Sequence, residues 1–177
     1  MSQFRPDWKS LIPVVPDFPT PGVAFRDLAP LMAEGDAFRS VVGELVAPWR
    51  NRPPDFVAGI EARGFVFAAP VAVRLGVGFV PLRKRGRLPP PVERVSYELE
   101  YGTDALEVSR DVVAPGSGVL LIDDVLATGG TAEAAIELIA MVGASVKAAS
   151  FVVNLPFLEG AERLIGLGVE IAALTEF

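Results

Sequence analysis

Residues 119–131 read VLLIDDVLATGGT: an apolar strand runs into two carboxylates, Asp123 and Asp124, followed by a short turn and a loop of hydroxyls and glycines. Directly behind the loop, Ala132, Ala135, Ile136, Ile139 and Ala140 recur at helical spacing, and Gly143 supplies a C-terminal stop. The pattern predicts a strand, a loop and a helix whose N-terminus falls at 128–131. Unpaired N–H groups and the positive end of the helix dipole favour a phosphate dianion there. Gly129 and Gly130 let the backbone approach that anion without a Cβ in the way, and Thr128 and Thr131 add hydroxyl donors. The loop holds no lysine, unlike the nucleoside triphosphate loop, whose lysine reaches the β and γ phosphates. A terminal phosphate monoester is therefore expected. Open α/β sheets bind ligands at the carboxyl ends of their strands, where Asp123 and Asp124 can accept hydrogen bonds from ribose hydroxyls and help to hold magnesium through water.

Working outward, the apolar runs FVAGI, GFVPL, GVLLI and VKAASFVV read as strands buried on both faces, with helical segments between several of them. Such alternation predicts an α/β fold, a mostly parallel sheet flanked by helices. The first 30 residues carry six prolines, Pro6 to Pro30, and read as an irregular or extended arm. After Asp36, a candidate N-cap, Phe38, Val41, Val42, Leu45, Val46 and Trp49 mark an amphipathic helix ending near Pro53. Residues 83–110 change character to a proline-rich, charged loop followed by SYELEYG and ALEVSR. They read as a loop and hairpin inserted into one domain spanning 1–177.

Composition restricts the chemistry. The 177 residues contain no cysteine and no histidine, so disulfides, thiolate zinc sites, a cysteine nucleophile and a histidine base are excluded. Any metal must be a hard, oxygen-bound ion. A net charge of -6 argues against a general nucleic-acid surface. No apolar run approaches the roughly 18 residues that would cross a bilayer, and Met1 leads into polar, proline-containing sequence rather than a signal peptide, so no membrane partner and a cytoplasmic location are expected.

Segment 119–131 closely resembles the phosphoribosyltransferase signature, and further blocks narrow the likeness to adenine phosphoribosyltransferases: FPTPGVAFRDLAPLM from Phe18, GIEARGF from Gly59, PLRKRGRLP from Pro81, SYELEYG from Ser96 and NLPFLEG from Asn154. The resemblance implies a type I phosphoribosyltransferase fold. It also implies a purine salvage reaction in which adenine and phosphoribosyl pyrophosphate give AMP and pyrophosphate, with Mg2+ carried on the substrate rather than held directly by protein ligands. It assigns Asp123 and Asp124 to the ribose diol, and Ala127, Thr128, Gly129, Gly130 and Thr131 to the 5-phosphate. Arg63, Arg83, Lys84 and Arg87 fall to the pyrophosphate, in a homodimer whose neighbouring subunit supplies some of these cations. Ala24, Phe25 and Arg26 fall to adenine, with Leu155 over the opposite ring face. Alternation places Glu98 and Glu100 on one side of a strand; the resemblance alone picks Glu100 as the proton-handling group, with Arg63 as its catalytic companion and Tyr101 beside it. Residues 86–97 read as a lid that closes over the reacting ribose. A charge run such as 83–87 is more often a solvated face, and Glu61 reads as structural. Arg87, Val92 and Asn154 depart from the family pattern, which more often has Lys, Thr and Glu there. The competing readings are a hypoxanthine, guanine or xanthine phosphoribosyltransferase, and a non-catalytic phosphoribosyl pyrophosphate sensor.

Overall fold

The computed structural model describes residues 7–98 and 103–177. The chain divides into two compact units, Met1–Glu44 and Leu45–Phe177.

In the first unit a 3₁₀ turn at Trp8–Leu11 precedes strands β1 (Val14–Pro16) and β2 (Ala24–Arg26), so the proline-rich arm is extended as the sequence suggests. The strands pair antiparallel, with Val15 opposite Phe25. The N–H of Asp27 donates to Pro13 C=O at 3.0 Å. In an antiparallel ladder hydrogen-bonded and non-hydrogen-bonded pairs alternate, which makes Phe25 the residue bonded to Val15. Ala24 and Arg26 therefore turn their own C=O and N–H groups away from β1. Phe18 packs edge-on against Phe25 at 5.1 Å between ring centres. Helix α1 (Ala29–Ala33) follows, then α2 (Gly35–Val46), which runs into the second unit. The cap of α2 differs from the expectation at Asp36. Glu34 accepts the Ala37 N–H at 2.7 Å, while Asp36 lies in the first turn and pairs with Arg39.

The second unit is built on strands β3 (Phe56–Ile60), β4 (Gly78–Lys84), β5 (Val92–Glu98), β6 (Thr103–Ser109), β7 (Gly118–Leu126), β8 (Ser145–Asn154) and β9 (Glu170–Glu176), in the spatial order β5-β6-β4-β3-β7-β8-β9. From β4 to β9 every neighbouring pair is parallel, and β5 and β6 add an antiparallel hairpin beside β4. Helix α3 (Arg63–Leu75) packs on β3, β4 and β7, whereas α4 (Gly130–Met141) packs across β5 to β8, and α5 (Gly160–Gly166) rests on β9 and α4. The central parallel strands β3, β7 and β8 are buried on both faces, as their unbroken apolar runs require. Ala58, Ile60, Val80, Val119 and Leu121 belong to the cluster shared with Ala135, Leu138 and Ile139 of α4. The buried stripe of α4 is Ala132, Ala134, Ala135, Leu138 and Ile139, so the expected stripe is displaced: Ala140 is exposed, and Ala134 and Leu138 take its place.

Two boundaries correct the sequence reading. β7 continues to Leu126, so Asp123 and Asp124 lie within that strand and not at its end. They still stand at a sheet opening, because the register of β3 against β7 stops at Gly59 and Ile122 while β8 follows β7 as far as Asn154. Within 86–97, read as a lid, Val92 onward is strand β5, paired along its length with β6 and burying Val95 and Tyr97. That leaves 85–91 as the connecting segment without regular pairing.

Candidate active site

A cleft of about 320 Å³ lies where β3, β4 and β7 end, walled by Glu61, Ala62 and Arg63, by Lys84, and by the continuous run from Asp123 to Ala132, with Ile60 and Phe151 behind. The second half of the 119–131 motif thus forms most of one cavity. Gly129 caps α4 at φ +79°, a left-handed conformation that costs a glycine nothing. The first turn of α4 aims its N–H groups at the loop, as an oxyanion site requires.

The loop also has a backing. Gly160, the first residue of α5, presses against it so closely that a Cβ there would collide with Ala127 O and sit 2.9 Å from Gly129 N. An ion pair between Glu133 of α4 and Arg163 of α5 closes the same junction. Gly160 is a positioning residue that the sequence reading missed; a glycine in a short segment carries no pattern to mark it.

Asp124 is buried and its Oδ2 lies 2.9 Å from Arg63 Nε. That oxygen has no hydrogen-bond partner, so the Arg63 N–H does not point along the contact and the pair is held by charge. Asp123 accepts the Asp124 N–H at 2.9 Å and retains some solvent access although protein surrounds it. Burial, and then the neighbouring Asp124 carboxylate, push the Asp123 carboxyl well above its ordinary range. Gly64 lies directly beneath it: a Cβ at 64 would stand 2.6 Å from Asp123 Oδ1. The Glu61–Ala62 peptide leading into this wall is cis.

Of the four cations assigned to the pyrophosphate, Arg63 and Lys84 line the cleft, and Arg83 and Arg87 do not. Lys84 lines the cleft, and its Nζ donates to Tyr97 Oη at 2.9 Å and to Asp104. Arg83 turns to Glu61, donating Nε to Oε2 at 2.8 Å, and stands over the Phe65 ring. Arg87 is exposed in the turn after Lys84. Glu61 holds Arg83 and also accepts the Lys84 N–H at 2.9 Å, and Arg83 keeps its carboxyl below the ordinary range. Leu155 is buried just past β8, and Asn154 beside it donates Nδ2 to Glu176 at 3.1 Å. Ala24, Phe25 and Arg26 form β2 of the first unit. Glu100 and Tyr101 lie outside the described residues.

Among the described residues no three acidic side chains cluster as a metal cage, and no helix is long and apolar enough to cross a membrane. The donors that do meet here, two adjacent carboxylates of which one has an orphaned oxygen, suit a hard ion that brings most of its own oxygen ligands.

Comparison with known proteins agrees with this geometry. Residues 31–160 match the family model of the phosphoribosyl transferase domain. An adenine phosphoribosyltransferase of Azorhizobium caulinodans is 50% identical over 172 residues, covering 97% of this chain and 96% of the relative. The crystal structure of the adenine phosphoribosyltransferase of Thermoanaerobacter pseudethanolicus superposes with a TM-score of 0.91 at 44% identity, covering 96% of this chain and 97% of that one. The Giardia lamblia enzyme complexed with 9-deazaadenine superposes at 0.92 with 38% identity, covering 97% and 96%. A cleft made by the 119–131 motif on a parallel sheet, in a chain that matches such relatives along almost its entire length, places this chain in the phosphoribosyl transferase domain family, among the adenine phosphoribosyltransferases.

Proposed function

We propose that the cleft beside β3, β4 and β7 is where this adenine phosphoribosyltransferase joins adenine to the ribose 5-phosphate of phosphoribosyl pyrophosphate, releasing AMP and pyrophosphate. The observation that carries the proposal is the meeting of Asp123, Asp124, the 127–131 loop and Arg63 in one cavity. The loop and the start of α4 would hold the 5-phosphate through N–H and hydroxyl donors. Asp123 and Asp124 would accept from the ribose diol, which fixes C1 toward the open side.

Substitution at C1 needs no protein nucleophile: adenine N9 forms the new bond as the bond to pyrophosphate breaks, through an oxocarbenium-like transition state. Charge leaving with pyrophosphate would meet Arg63 and Lys84, while Arg83 and Arg87 are assigned to it by family likeness alone. Glu100 is assigned to the purine proton and Tyr101 to the same wall by family likeness alone. Mg2+, carried by substrate oxygens and reached through water by Asp123 and Asp124, would neutralise the leaving group when bound. Segment 86–97 would act as a cover through its 86–91 part, since the remainder is tied into the hairpin. The reaction belongs in the cytoplasm, because a substrate this highly charged does not cross a bilayer unaided. A homodimer completes the proposal, supported by the exposed Val66 and Val73 on α3; sedimentation at micromolar concentration that gives a monomer would remove it.

Adenine is read, in this proposal, by β2. The C=O of Ala24 and the N–H of Arg26 face the edge away from β1, matching the 6-amino donor and N1 acceptor of adenine; hypoxanthine reverses both. Sites that read hydrogen bonds this way discriminate by about 10⁴. Pyrophosphate release measured with adenine, hypoxanthine and guanine tests it. A kcat/KM for hypoxanthine within about tenfold of that for adenine would contradict recognition by opposed donors and acceptors.

A further inference from the structure

We propose that Asp104 is an internal counter-ion that competes with the anionic ligand for Lys84 and thereby sets how tightly the cleft retains pyrophosphate. The inference rests on the reading that Lys84 meets the pyrophosphate group. Lys84 is the last residue of β4 and lines the cleft, yet its ammonium is already engaged on the hairpin, by Tyr97 of β5 and Asp104 of β6. Tyr97 and Asp104 are cross-strand partners in the β5–β6 register, so the ladder itself places both acceptors beside one ammonium. The Asp104 carboxylate is held in turn, since its Oδ1 accepts the Ala105 N–H at 2.7 Å. Burial pushes the Asp104 carboxyl up, but the Lys84 ammonium, the Ala105 N–H and the Tyr97 hydroxyl together outweigh this and leave it below its ordinary range. Burial pulls Lys84 down, and its two partners outweigh that as well. The pair is therefore fully ionised at neutral pH.

The side chains of Lys84 and Asp104 are 37% and 27% exposed. A pair so placed is partly screened and can be broken. An arriving polyanion must outbid Asp104 for Lys84, and a departing one gives Lys84 back. The carboxylate thus lowers affinity for the substrate's pyrophosphate end and, equally, for the pyrophosphate product, which favours its release. A residue that merely stabilised the hairpin would weaken ligand binding when altered; a competitor strengthens it.

The test titrates inorganic pyrophosphate, in the presence of magnesium, into the full-length chain and its D104N, D104S and K84A variants by calorimetry, with inorganic phosphate titrated separately as a control. D104N should bind pyrophosphate about twofold to fivefold more tightly, the range one partly exposed ion pair supports, and K84A should bind it more weakly. Inorganic phosphate should bind all four proteins alike. D104S removes the charge without presenting an amide to Lys84, and must shift affinity in the same direction. If K84A weakens binding while D104N and D104S leave it unchanged or weaken it, the counter-ion role is overturned and Lys84's own role stands. If K84A changes nothing, the reading of Lys84 falls and the inference falls with it.

Discussion

Replacing Gly160 with alanine isolates the contact behind the phosphate loop. Gly160 is the first residue of α5 and its φ is not in the left-handed region, so alanine is conformationally allowed and would favour the helix by up to about 1 kcal/mol. The added methyl, however, would overlap Ala127 O and stand 2.9 Å from Gly129 N. Backbone cannot rotate away as a side chain would, so the 127–129 loop or α5 must move. Overpacking of this kind costs about 1–3 kcal/mol. Moving the loop also misaligns N–H donors aimed at a phosphate, each worth about 1.5–3 kcal/mol when the acceptor is charged. Loss of one such bond predicts that ribose 5-phosphate binds roughly 10- to 100-fold more weakly, since about 1.4 kcal/mol is tenfold. Gly166, in the same helix, is the matched control: a Cβ there meets nothing within 4 Å. G166A should keep the affinity and raise the melting temperature by about 1–4 °C. Calorimetric titration with ribose 5-phosphate, together with thermal melts, reads both. A G160A protein that binds ribose 5-phosphate as tightly as the unsubstituted chain would refute the argument that α5 buttresses the loop.

Asp123→Asn should stabilise the ligand-free protein while weakening use of phosphoribosyl pyrophosphate by roughly 1–3 kcal/mol. A raised folded-state value means that this carboxyl contributes stability below its ordinary 3.8 and loses it as pH rises through the raised value. Melting curves of the two proteins should therefore converge at the acid end and separate above it, with Asp123→Asn the more stable; a difference that does not vary with pH would argue against the crowded-carboxyl account. Glu107 is 1% exposed, accepts Arg94 Nε at 2.8 Å and holds the Gly86 N–H at 2.9 Å, so E107A should cost about 1–3 kcal/mol, the lower part of the range because Arg94 can turn to solvent. Urea unfolding measures it, and an unchanged midpoint would mean that the turn after Lys84 is held by other contacts.

The parallel sheet and the phosphate loop are legible in the sequence because their signals are local and repeated. Four apolar runs become β3, β4, β7 and β8, and the glycine and hydroxyl loop falls at the start of α4 as its neighbours require. The basic run at 83–87 does not act as a unit, which the sequence hides because it shows charge and not its partner. Glu61, twenty-two residues before Arg83, takes that arginine, and Asp104 takes Lys84. The segment without regular pairing is shorter than its composition suggests for a similar reason: prolines and charges at 86–94 hide that Val95 and Tyr97 alternate inward on a strand. Gly160 behind the loop and Gly64 under Asp123 cannot be found from spacing, since close approach of backbones is a property of the assembled fold.

The register of β3 against β7 bears on how the protein comes into being. The wall carrying Arg63 follows β3, and the wall carrying Asp123 and the loop belongs to β7; the two strands are neighbours in space, yet β4 and the whole β5–β6 hairpin lie between them in sequence. The hairpin can form from local chain within microseconds, but the β3–β7 pairing must first close a long loop, at an entropic cost that short-range contacts do not bear. A partly folded chain can thus own a finished hairpin and still have no cleft. Phosphoribosyl pyrophosphate would then recognise late, nearly complete molecules and no others, and the ligand would shift the folding equilibrium toward them by mass action, so that protease resistance of freshly made protein should rise with substrate supply.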